Sequence, residues 1–306
     1  MASVACIGEC MIELKQAAGG LYARGYGGDT LNTAVYLARL GIATDYVTAL
    51  GDDAMSDEML ARWAAEGIGT SRVQRLKGKL PGLYMIETDA NGERRFFHWR
   101  DSAAARALMN LPETDGLLAS LADDKVVYLS AITLSLYGEE GRARLFGALR
   151  DARAGGTRIT FDTNFRARGW PDLDVARRVY GEMFAIADIV LASTEDLSPL
   201  YPGADEAELL TRIGAPETVL KLAEPVCIVR ADGGAQTMIR AAPLAHPVVD
   251  TTAAGDSFAA AYLAARQTGA SPVEAAQAGH RLAGVVVGHP GAIIPRAAMP
   301  TDVLKG

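Results

Sequence analysis

The chain of 306 residues carries a formal net charge of −7, with 49% hydrophobic and 22% charged residues. That length suits one large α/β domain or two modest ones, each with a sizeable core, and the apolar content excludes a disordered chain. The acidic balance leaves no electrostatic footprint for nucleic acid or an anionic membrane, so an anionic substrate needs local arginines.

From the N-terminus, the opening Met1–Cys10 lacks the basic stretch and long apolar run of a signal peptide. No run of about 18 apolar residues occurs anywhere, and a cytoplasmic protein is expected. Val4–Met11 reads as a buried strand in which Cys6 and Cys10 alternate with apolar neighbours. With Cys227 they make three scattered cysteines, too few for a disulfide framework or a structural zinc site, and read as buried thiols. A helix is predicted over Asp29–Leu40, where Leu31, Ala34, Val35 and Ala38 recur at helical spacing and Gly41 supplies the stop. A second covers Ala54–Glu66. Gly82–Asp89 and Arg94–Trp99 are extended around Asn91-Gly92, a good hairpin turn signal.

Further along, strand-like runs at Val126–Leu129, Arg158–Phe161, Ile189–Ala192 and Val226–Val229 are interleaved with helical patterns. The helices cover Glu139–Arg153, Val175–Ile186, Gly255–Arg266 and Pro272–Val287. Such alternation implies parallel strands with crossover helices: a doubly wound, mainly parallel sheet with helices on both faces, in a single domain over 1–306. The hairpin breaks the pattern. Together, 13–26 and 82–100 are read as a small β lid that covers a site or pairs two copies into a homo-oligomer.

The segment Asp250-Thr-Thr-Ala-Ala-Gly-Asp-Ser257 opens a helix. Ala253, Ala254 and Gly255 are small enough for close backbone approach, and helix N-terminal amides favour anions. An aspartate in a first helical turn is often only stabilising. Beside such amides, however, Asp256 is placed to take a hydroxyl proton while the amides hold a transferring phosphoryl group. On the substrate side, Gly27-Gly28 allows tight approach of a ligand, and Asn32 one turn into the helix can bond hydroxyls. The plainer alternative is a turn with Asp29 as helix cap. Arg100 and Arg166 follow extended segments and offer planar forks for a carboxylate, although single arginines are often solvated. No Gly-x-Gly-x-x-Gly follows the first strand and no Gly-x-x-x-x-Gly-Lys-Ser/Thr occurs, which excludes dinucleotide-dependent oxidoreductases and P-loop NTPases.

Two segments carry a resemblance. Asp250–Ser257 is similar to the C-terminal signature of the ribokinase-like (PfkB) carbohydrate kinases, and Gly27–Ala34 resembles their N-terminal Gly-Gly…Asn-x-Ala signature. Within that family, Gly8–Leu14, Leu80–Tyr84, Asp162–Arg166 and Gly291–Arg296 resemble the branch that phosphorylates 2-keto-3-deoxygluconate at its 6-hydroxyl. The resemblance implies ATP with Mg²⁺, Asp256 as base and Ala253–Gly255 as anion hole. It also implies Gly28, Asp29, Asn32, Tyr84, His98, Arg100 and Arg166 on the sugar acid. His98 stands where that branch has an aromatic such as tyrosine. For the nucleotide it implies Ser193, Arg230, Asp232, Gly233, Gly234 and Thr252, with Asp196 on magnesium through water. Two segments depart from the pattern: Ser193-Thr-Glu-Asp196 replaces Asn-x-x-Glu, and Ala231-Asp-Gly-Gly234 lacks the first glycine of a Gly-x-x-Gly loop. A fructokinase- or ribokinase-type enzyme, and a catalytically silent sugar-acid binder, remain alternatives.

Overall fold

A computed structural model describes residues 4–88, 94–231 and 234–305. Its strands in chain order are β1 (Val4–Ile7), β2 (Met11–Gln16), β3 (Tyr22–Gly27), β4 (Thr44–Gly51), β5 (Val73–Leu76), β6 (Leu83–Thr88) and β7 (Arg94–Trp99). They continue with β8 (Val126–Ser130), β9 (Arg158–Asp162), β10 (Ile189–Ser193), β11 (Glu217–Lys221), β12 (Val226–Ala231) and β13 (Ala235–Arg240). Nine form one sheet in the order β13-β12-β11-β10-β9-β8-β1-β4-β5, parallel except for the antiparallel β12 and β13 at one edge.

Side chains alternate across the sheet and sort into two cores. Ala5 and Ile7 pack with Leu145, Val179 and Leu209 on one face. Val4 and Cys6 pack with Leu37, Met59, Leu263 and Leu282 on the other. The buried strands therefore read as unbroken apolar runs, and helices cover both faces. This is the expected doubly wound fold. All three cysteines are buried and free, and among the described residues no helix is long and apolar enough to cross a membrane.

The expected strand Val4–Met11 proves to be two. It ends at Ile7, and Gly8 then passes Thr30 so closely that a Cβ there would lie 2.0 Å from its Oγ1. Met11 then opens β2 of a separate four-stranded sheet, ordered β3-β2-β6-β7. That sheet contains both segments expected to form a lid. The turn expected at Asn91-Gly92 lies outside the described residues. The helix Asp29–Arg39 is preceded by Gly28 as its cap residue, so Asp29 is its first residue rather than its cap.

Candidate active site

Parallel strands deliver their following loops to one end of the sheet, where α/β proteins place ligands. Here that end gathers Gly8 after β1, Asp162 closing β9, Ser193 closing β10 and Lys221 closing β11. The helix Ala254–Gln267 points its N-terminus into the group. Ala253 enters it with φ 59°, the left-handed region that an alanine adopts at a cost of roughly 1–2 kcal/mol. Asp250 holds this turn: its Oδ1 accepts from Thr252 N (3.0 Å) and Thr252 Oγ1 (2.6 Å), and its Oδ2 from Gly291 N (3.1 Å). Thr252 thus shapes the turn directly. The Ala254 N–H donates to Thr251 O at 3.2 Å. Of the residues expected as the anion hole, 253–255, Ala254 thus has its amide on a backbone carbonyl. Among the described residues, the Gly255 and Asp256 amides have no backbone acceptor.

Asp256 accepts a 2.8 Å hydrogen bond from Asn32 Nδ2, joining the two sequence signatures across the structure. Thr33 Oγ1 bonds the Asp256 carbonyl at 3.3 Å. Burial pushes the Asp256 carboxyl well above the usual carboxylate range. Asp29 and Asp162 add to this, while Asn32 and Lys221 oppose it. The buried Asn32 Oδ1 has no partner among the described residues, leaving an acceptor for a ligand hydroxyl. Asp29 is oriented by Asn164 Nδ2 at 2.7 Å. Gly28 must be glycine on steric grounds: a Cβ there would meet Glu9 O at 2.1 Å.

Tyr84 stands in β6, its hydroxyl donating to Glu13 Oε2 at 2.5 Å. Its ring stacks on His98 at 6.0 Å between centroids. Desolvation, with Arg100 and Arg168 nearby, lowers the His98 pKa, so this ring favours its neutral form. Arg168 reaches the small sheet, lying 3.4 Å from both Phe96 O and His98 Nδ1. Arg166 is 63% exposed and lies 3.4 Å from Asp196 Oδ1. Arg100 is held by Glu9, whose side chain is only 1% exposed. The two arginines are thus anchored by different carboxylates. Arg100 Nε and Glu9 Oε1 stay buried without a hydrogen bond among the described residues. Burial raises the Glu9 pKa even against the pull of Arg100.

Asp196 accepts from Ser193 Oγ (2.7 Å), Thr163 Oγ1 (3.1 Å) and Phe165 N (3.0 Å). Among the described residues, no group of three or more His, Cys, Asp or Glu side chains is placed to hold a metal.

Arg230 and Gly234, expected on the nucleotide, are not brought to this group. β12 runs antiparallel to β11, pairing Cys227 with Lys221 but Arg230 with Thr218 and Ala231 with Glu217. The C-terminal end of β12 therefore lies toward the opposite end of the sheet, and the loop between Lys221 and Val226 takes the place beside the site. Asp232 and Gly233 lie outside the described residues. Sequence reasoning missed Glu9, Glu13, Asn164, Arg168 and Lys221. Lys221 carried one signal, a lysine closing the apolar run Val219-Leu220.

The family described as pfkB family carbohydrate kinase matches residues 1–299. Among curated proteins, the 2-dehydro-3-deoxygluconokinase of Dickeya dadantii is 45% identical, the alignment covering 97% of this chain and 98% of that one. The 2-dehydro-3-deoxygluconokinase of Escherichia coli (strain K12) is 42% identical, with 97% and 98% covered. Among solved structures, a fructokinase with bound ATP from Xylella fastidiosa superposes with a TM-score of 0.85 at 24% identity. It covers 99% of this chain and 98% of that one, and shows the shared fold.

Proposed function

The chain belongs to the pfkB family of carbohydrate kinases, and from that premise we propose that it phosphorylates 2-keto-3-deoxy-D-gluconate (2-dehydro-3-deoxygluconate) at the 6-hydroxyl. ATP is the donor, and the products are 2-keto-3-deoxy-6-phosphogluconate and ADP. The observation that carries the mechanism is the half-buried Asp256 carboxylate, held by Asn32 beside N–H groups at a helix start that have no backbone acceptor among the described residues. The substrate class rests on the name shared by relatives at 38–45% identity over nearly the whole chain.

In this mechanism Asp256 accepts the proton of the 6-hydroxyl as that oxygen attacks the γ-phosphorus. The Gly255 and Asp256 amides meet the charge on the transferring group, already oriented and partly shielded from water. Asn32 Oδ1 accepts from a sugar hydroxyl. Arg100 faces the substrate carboxylate from the small sheet, with Arg166 assisting, and that sheet acts as the lid that excludes water. Asp196 with the Ser193 and Thr163 hydroxyls is an oxygen donor set that suits a water-bridged Mg²⁺. An Mg²⁺ held there with ATP would supply positive charge to offset that of the phosphates.

The exposed Phe97 and Trp99 on the small sheet support its pairing between two copies. Use of ATP as donor fits a cytoplasmic site of action. The test is Asp256→Asn in a coupled ADP-release assay over keto-deoxy acids and neutral ketoses. The variant should bind both substrates and lose about 10² or more in kcat. Near-normal turnover removes Asp256 from the role of base.

A further inference from the structure

The ammonium group of Lys221 lies inside the candidate active site with no part in the mechanism above. Lys221 closes β11, in register with Ser193 of β10. Its Nζ stands 3.6 Å from the point where a Cβ on Gly255 would be. It is 3.6 Å from Asp162 Oδ2, with 19% of the side chain exposed, and 6.0 Å from the centre of the Phe258 ring. An ammonium that loses its hydration needs anions in return. The bond to Asp162 is longer than the roughly 2.7–2.9 Å of a close charge-assisted hydrogen bond, so Asp162 does not use up the three donors. Burial works against the charge, but Asp162, Asp196 and Asp256 outweigh it and hold the lysine pKa above its ordinary value.

Resting on the phosphoryl-transfer reading, we propose that Lys221 is a further catalytic residue whose Nζ contacts the γ-phosphoryl oxygens of ATP beside the Gly255 and Asp256 amides. In the step, the bond from the γ-phosphorus to the β,γ-bridging oxygen breaks and leaves its electron pair on ADP. The bond from the acceptor oxygen to phosphorus forms, and the acceptor proton passes to Asp256. Lys221 keeps its proton throughout and offsets the negative charge gathered on the phosphoryl oxygens. It also acts on the base. Asp256 faces Asp29 and Asn32 from the helix Asp29–Arg39, Asp162 from β9 and Lys221 from β11; Lys221 is the cation that draws the carboxyl pKa back down.

The competing account makes Lys221 a plain counterion of Asp162. Lys221→Met and the charge-balanced Lys221→Met/Asp162→Asn separate the two. Calorimetry with AMP-PNP and with ADP reads the nucleotide contact, and a pH series of kcat/KM reads the base. Both variants should bind AMP-PNP roughly tenfold more weakly, with ADP changed less than about threefold, because only the γ group meets Lys221. Turnover should fall roughly a hundredfold in both, and in Lys221→Met the acid limb should move to higher pH. Wild-type-like kcat in the double variant, or equal weakening of ADP and AMP-PNP, overturns the proposal. Where Lys221→Met does not fold, the double variant decides alone. The nucleotide comparison needs no acceptor, so a wild-type protein inactive on every sugar acid refutes the substrate reading without deciding the Lys221 contact.

Discussion

Asn32→Leu tests the link between the two sequence signatures. The substitution keeps approximate volume at a buried position, admits little water and deletes the 2.8 Å donor to Asp256. Asp256 must be ionised to take the acceptor proton, so activity falls as pH drops through its pKa. Burial and the nearby Asp29 and Asp162 already raise that pKa, and the Asn32 N–H holds it down. Losing a hydrogen bond to a charged group is worth about 1.5–3 kcal/mol. The acid limb of kcat/KM therefore moves to higher pH. At a pH below both limbs the variant should lose roughly ten- to a hundredfold beyond its loss on the plateau. The plateau loss reports the missing sugar contact from Oδ1, and the extra loss reports the base. The assay is initial-rate ADP release against pH, with acceptor and ATP varied. A plateau loss with an unmoved acid limb would falsify the account of Asp256 as a base tuned by Asn32.

Further outcomes follow from the same geometry. Asp256→Asn should unfold at higher urea than wild type at neutral pH, since the raised folded-state pKa makes the ionised carboxylate a burden there. The difference builds as pH rises from the unfolded-state pKa towards the folded one and vanishes below both; equal urea midpoints at all pH values contradict the burial argument. Arg100→Ala should cost about 3 kcal/mol of stability, because Glu9 is left buried and unpaired, and Glu9→Gln in that background should restore part of it. The same variant should lose roughly ten- to a hundredfold in kcat/KM on the sugar acid and little on fructose, and equal losses would return Arg100 to a structural role. Gly28→Ala should destabilise by about 1–3 kcal/mol through its clash with Glu9 O and weaken the acceptor KM, measured by urea titration and kinetics.

Much of this molecule is written in short-range signals. Helical spacing placed Asp29–Arg39, and the Ser271/Glu274 capping box with Pro272 opens the helix that ends at Val286. Small residues before Asp256 marked the helix start at Ala254 because a helix N-terminus is a local object. β4 and β11 were not legible. Thr44–Gly51 mixes polar and apolar residues, and Glu217 is buried only because Arg266 and Tyr262 meet it from a helix 45 or more positions away. The direction of β12 decided that Arg230 and Gly234 face away from the site, and a strand's direction is set by its partner rather than by its own residues. Glu9 with Arg100, Asn164 with Asp29, and Lys221 with Gly255 are likewise products of distant segments meeting. Each is an interaction between charges or dipoles, whose strength depends on separation in space, and separation in space is what only the tertiary structure decides.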